Sequence, residues 1–148
     1  MPTYHEEREL PYPARQLFDL VADVESYPDF LPWWAAARIV AREDGAYRTD
    51  QVIRFGPIRQ RFPTRTVLRR PRAIEVTATD GPFRRFDLRW SFAPLASGSC
   101  RVGLDAEIAF RLPLLGQVFG AALGRALARI VTAFEERARM LYGPPGSP

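Results

Sequence analysis

Between Pro113 and Leu141 nothing interrupts a helix except scattered glycines, and Pro113 is itself well placed for a first helical turn. Leu115, Val118, Phe119, Ala122, Leu123, Ala126, Leu127, Ile130, Val131, Phe134, Ala138 and Leu141 recur at helical spacing and form a broad apolar stripe. A helix over 113–141 is about 43 Å long at 1.5 Å per residue. A stripe of that length needs a second layer to cover it, and the cover stands immediately upstream. From Ala35 to Arg111 the pattern becomes twofold, with turn signals "EDG" at 43–45, "GP" at 56–57, "RRPR" at 69–72, "DGP" at 80–82 and "ASGS" at 96–99. These breaks predict strands over 35–42, 46–55, 58–69, 73–79, 84–94 and 100–111.

Ahead of them, "TYHEEREL" at 3–10 reads as a short polar strand. Leu17, Leu20, Val21 and Val24 then mark a helix over about 13–24, opened by Pro13. Ser26 is expected to cap a very short second helix that tolerates Pro28 and stops at Pro32. The predicted fold is α+β: a curved antiparallel sheet of about seven strands wrapped around a long C-terminal helix, with two short helices after the first strand. This is a helix-grip arrangement, in one domain over 1–142 with a frayed tail at 143–148.

Composition narrows the classes. A chain of 148 residues with 47% hydrophobic and 26% charged residues is an ordinary globular length and mixture. No apolar run looks long enough to span a bilayer, the start lacks a secretory layout, and the lone Cys100 allows no internal disulfide. The expected location is cytoplasmic. All 21 basic residues are arginine; the net charge is +4, and the pI near 9.8 permits contact with anionic lipid or RNA.

Catalytic chemistry finds little to work with. His5 is the only histidine and sits among charges in an edge-like strand; with one Cys, it leaves no zinc set and no nucleophile–base pair. Gly116, Gly120 and Gly124 are spaced by four and are no phosphate loop. They permit three readings: close approach of helix to sheet, room for a guest, or contact with another helix or a membrane. Asp19 with Asp23, and Asp105 with Glu107, are expected on solvated faces. On the predicted inward face of the middle strands lie Thr49, Gln51, Gln60, Thr64 and Thr66, polar groups that would orient an apolar guest bearing oxygen. The opposite face carries Arg59, Arg61, Arg65 and Arg69, a single-signed row suited to an anionic surface.

"LFDLVADVESYPDFLPWW" at 17–34 resembles the signature of the coenzyme Q-binding proteins within the START-like (polyketide cyclase and lipid-transport) superfamily. The "F-LPLLG--F" arrangement at 110–119 resembles it more weakly, and the overall element order is similar along essentially the whole chain. The resemblance implies a tunnel between helix and sheet. It implies non-enzymatic binding and delivery of ubiquinone or a related isoprenoid quinone in support of respiration, with no required cofactor, no metal and no DNA partner. Tyr27, Phe30, Leu31, Trp33 and Trp34 would form a proline-stiffened lip at its mouth, suited to a membrane headgroup layer. Gln51, Ile53, Phe55, Phe62, Trp90, Phe119 and Leu123 would line it. Trp34 departs from the smaller residue many members carry, which narrows the expected mouth. The protein would then sit peripherally on the inner face of a respiratory membrane. Two other functions occur among similar proteins: a ribosome-associated regulator that blocks subunit joining, here through Arg59, Arg61, Arg65 and Arg69, and a cyclase/aromatase-like enzyme.

Overall fold

Alternating side chains produce seven strands: β1 (Thr3–Leu10), β2 (Trp34–Glu43), β3 (Ala46–Phe55), β4 (Ile58–Arg69), β5 (Ala73–Ala78), β6 (Phe83–Pro94) and β7 (Cys100–Phe110). The structure, a computed structural model, describes residues 3–55, 57–78 and 81–144, the side chains of Phe55, Ile58 and Ser97 excepted. Every neighbouring pair is antiparallel, in the order β1-β7-β6-β5-β4-β3-β2. Irregularities in β2 at Trp34/Ala36 and Ile39/Ala41, and in β6 at Phe83/Arg85, bend the strands where the sheet must curl. One face is packed and the other wet, as a hairpin-connected meander requires. Phe92, Trp90, Val102 and Leu104 point inward, while Arg89, Arg101 and Asp105 point out.

Helix α1 (Ala14–Ala22) buries Leu17, Phe18, Leu20 and Val21 against this face, with the Phe18 and Phe92 ring centroids 5.7 Å apart. The second short helix is a 3₁₀ segment, Val24–Asp29, and Ser26 does not cap it. Ser26 lies inside the segment. Its N–H already donates to Asp23 O, and its hydroxyl donates to Asp23 Oδ2 at 2.6 Å. Because α1 runs almost directly into this segment, no free helix start is left at Ser26 for a cap to satisfy.

Helix α2 (Pro113–Tyr142) is anchored through its second half, where Leu127, Val131, Phe134 and Ala138 are buried. Phe134 meets Trp90 edge-on at 5.1 Å. Strand β1 clasps the helix from the side: Tyr4 Oη donates to Gly120 O at 2.9 Å and Arg8 donates to Thr132 Oγ1 at 3.0 Å. At the far end Gly143, at φ +80°, closes the helix, and its carbonyl accepts the Tyr12 hydroxyl at 2.8 Å. The tail expected at 143–148 therefore begins from a fixed residue; 145–148 lie outside the described residues.

Two expectations about α2 are corrected. Its length and composition do suffice to cross a bilayer: an 18-residue window reaches a mean hydropathy of 1.4, because alanine, valine and glycine fill the positions between leucines. Only 11% of that window is buried. The glycines are also not forced by close approach. A methyl group at Gly124 would sit 3.5 Å from Tyr4, an ordinary contact, and one at Gly116 would meet nothing within 4 Å.

Two stability measurements check this packing. Phe18→Ala, at a side chain with 0% exposure, lowers the urea-unfolding free energy by about 3–5 kcal/mol. Gly116→Ala raises it, by about 0.5–1 kcal/mol, since the helix gains propensity without a clash.

Candidate functional site: an apolar cavity with one polar wall

Strands β3 and β4 pair so that Thr49 lies opposite Thr64 and Gln51 opposite Phe62. All four are buried, on the face that looks toward α2. The Thr49 and Thr64 hydroxyls are 2.5 Å apart, and the Gln51 amide donates to them at 3.1 and 3.2 Å. Trp34 Nε1 donates to Gln51 Oε1 at 2.8 Å. Because an indole nitrogen can only donate, this bond fixes which end of the amide is oxygen. Beside them Tyr47 donates to Ala22 O at 2.7 Å and Tyr27 donates to Val21 O.

In front of this polar group lies a cavity of about 140 Å³ between the sheet and α2. Tyr27, Leu31, Trp33, Trp34, Gln51, Ile53, Phe62, Trp90 and Leu123 all line it. Its boundary also includes Val76, Phe83, Phe86, Ile130 and Phe134, which were not singled out as site residues. The signal was present for Val76, Phe86, Ile130 and Phe134, inward positions of strands and of the helical stripe, whereas Phe83 precedes the strand predicted over 84–94 and sits at the register shift between Phe83 and Arg85. Trp33 stands at φ +69°, a left-handed conformation costing a residue with a side chain about 1–3 kcal/mol. It is held by Arg54 N–H donating to its carbonyl at 2.7 Å and by the Arg129 guanidinium 5.0 Å from its ring.

Phe30 and Phe119 are not in the cavity. Phe30 packs behind its wall against Phe134 at 5.2 Å, with the Arg137 guanidinium over its ring at 5.1 Å, just past the end of the 3₁₀ segment. Phe119 is 43% exposed on the unburied half of α2 and touches only the rim residue Phe110 among the described aromatic contacts. The side chain of Phe55 lies outside the described residues. Gln60 also leaves the polar group, donating instead to Arg61 O at 2.7 Å.

Among the described residues the cavity lining contains no carboxylate, imidazole, thiol or guanidinium, and its ionisable groups are two phenols. Burial holds Tyr47 up at about 12 and pushes Tyr27 well above the ordinary range, so both stay protonated at neutral pH. No cluster of three metal-ligating side chains exists among the described residues.

Residues 10–135 match the family described as polyketide cyclase/dehydrase and lipid transport. The chain belongs to this family. The START-like resemblance seen at 17–34 is thereby borne out. Among curated relatives, the ribosome association toxin RatA of Pseudomonas aeruginosa is 39% identical over 134 residues, covering 90% of this chain and 93% of its own length. The mitochondrial coenzyme Q-binding protein COQ10 homolog B of Xenopus laevis is 25% identical, over 95% of this chain and 59% of that protein. The aromatase/cyclase Zhui of a Streptomyces strain superposes with a TM-score of 0.88 over 99% of this chain and 98% of its own, at 15% identity, a likeness of fold alone.

In this member of the family the arginine row of β4 is not single-signed in space. Arg61 pairs with Asp50 at 2.7 Å, Arg65 with Glu43 at 3.0 Å, and Arg69 with Glu75. Three of the four expected contacts are thus paired, so the row is largely neutralised by acids that neighbouring strands bring alongside. His5 is likewise surface chemistry: it lies on the edge strand, with Nδ1 2.6 Å from Asp105 Oδ1.

Gln51→Leu strands the Trp34 indole N–H and lowers unfolding free energy by about 1–3 kcal/mol, and adding Trp34→Phe recovers part of that loss. A double-mutant cycle in urea reads the coupling. The hydrogen bond that His5 donates to the Asp105 carboxylate raises the His5 pKa above its ordinary value. The associated stability is therefore full below about pH 6.5 and is lost as pH rises through the raised value. Unfolding titrations from about pH 6 to 8 should show a flatter slope for His5→Gln than for the parent chain.

Proposed function

We propose that this protein is a non-enzymatic binder and carrier of an isoprenoid quinone of the ubiquinone type. The observation that carries the reading is the largely apolar cavity of about 140 Å³ with the Gln51–Trp34 pair on one wall. An apolar cavity of about 150 Å³ takes one benzene ring. The space therefore suits a substituted ring or a short piece of isoprenoid, and a long tail would remain outside, in lipid. The second lone pair of Gln51 Oε1 can accept a hydrogen bond from a ring hydroxyl of the reduced, quinol form of such a ligand. The lip of Trp33 and Trp34 and the helix face at Leu123 would take the apolar part.

Delivery of such a ligand places the protein at a membrane surface, in our reading the inner face of a respiratory membrane approached from the cytoplasm. The absence of a charged acid–base pair from the cavity wall supports a binder over a cyclase or aromatase. No cofactor is required by this reading; quinone is the cargo.

Organic extraction of protein purified from a quinone-making host, followed by mass spectrometry, should yield quinone in roughly stoichiometric amount. Leu123→Trp, which fills the cavity, should lower that yield at least about tenfold while the fold survives. Clean parent protein that also refuses added quinone ends this reading. A second reading, ribosome association, is favoured by the name carried by relatives up to 39% identical. It predicts co-sedimentation with ribosomal subunits, and the largely paired β4 arginines would not be its main contact.

A further inference from the structure

Leu112 and the first turns of α2 carry apolar side chains that nothing among the described residues covers. Leu112, Leu114, Val118 and Phe119 are 63%, 66%, 61% and 43% exposed. They adjoin the cavity, because Leu123 lines both it and a second recess beneath the start of the helix. That recess, about 270 Å³, is bordered by Arg84, Arg111, Gly116 and Gly120.

Along the chain the patch is flanked by cations. No carboxylate occurs between Glu107 and Glu135, a span that holds Arg111, Arg125 and Arg129. Glu107 itself is engaged by Arg85 at 2.8 Å. Arg111 is positioned by donating to Gly81 O at 2.9 Å, and Arg84 is exposed beside it. A second copy of this chain docked on the patch would oppose arginine with arginine. An anionic bilayer satisfies both parts of the surface, acyl chains receiving the leucine, valine and phenylalanine and phosphodiesters receiving the guanidinium groups.

We propose that the first turns of α2 are a docking surface for anionic phospholipid bilayers, with Leu112, Leu114, Val118 and Phe119 entering the acyl boundary and Arg84 and Arg111 engaging lipid phosphates. This deepens the carrier reading by locating the side on which a lipid ligand would pass, yet its test needs no quinone. A failure here leaves the extraction result standing, and the reverse holds too.

Vesicles of phosphatidylcholine with and without phosphatidylglycerol test it by co-sedimentation. The full chain should bind those with phosphatidylglycerol, bind pure phosphatidylcholine weakly, and release as salt is raised. Leu114→Ser with Val118→Ser, at exposed positions where circular dichroism should be unchanged, should abolish binding. Arg84→Gln with Arg111→Gln should weaken it about thirtyfold, roughly fivefold for each charge. The proposal is overturned if the parent chain ignores phosphatidylglycerol vesicles, or if both double variants bind them as the parent does. It is overturned equally if the serine substitutions leave vesicles bound and instead abolish a dimer or ribosome co-sedimentation.

Discussion

The seam of Leu127, Val131, Phe134 and Ala138 against Trp90 and its neighbours holds α2 through one half of its length. At the sheet's edge Tyr4 and Arg8 add polar ties from β1. Between these attachments the helix stands off the middle strands, and the gap is the cavity. Had the apolar stripe been buried along its whole length, the same elements would enclose a solid core. The aromatic cluster of Tyr27, Phe30, Trp34, Trp90 and Phe134 stiffens the wall nearest α1, so the space is framed by side chains with few rotamers.

Strand positions were legible because inward and outward residues alternate from Phe86 to Phe92 in β6 and from Val102 to Ile108 in β7, and Gly or Pro marks most of the turns. The inward polar set Thr49, Gln51, Thr64 and Thr66 followed from the same parity. What failed was information that a single element does not contain. The stripe of α2 is uniform along the sequence, so nothing distinguished Leu123, which faces the cavity, from Phe119, which faces out. Arg61, Arg65 and Arg69 look like a bare row until the register of β2, β3 and β5 sets Glu43, Asp50 and Glu75 beside them. The left-handed turn at Trp33 was equally invisible, since a bulky residue gives no hint of positive φ. Phe30, set on the lip by the resemblance, packs instead behind the cavity wall just past the end of the 3₁₀ segment.

Membership of a family fixes the scaffold more firmly than the task. Relatives named for ribosome association and for coenzyme Q binding both align with nearly all of this chain, and an aromatase/cyclase has the same fold. What distinguishes one use from another must therefore lie in the wall of the cavity and on the outer surface. Here the wall is almost wholly apolar, its phenols are tied to backbone carbonyls, and its one amide is oriented by an indole.

Cys100 pairs across the sheet with Leu10 on one side and Pro94 on the other, with 0% of its surface exposed. Burial also raises its pKa, which keeps the sulfur in its less nucleophilic form. A thiol reagent can therefore react only when the packing around this point opens, and the rate of modification becomes a clock for that opening. With no second cysteine in the chain, the signal belongs to one place. The molecule thus carries its own reporter at the point where β1 and β6 flank β7.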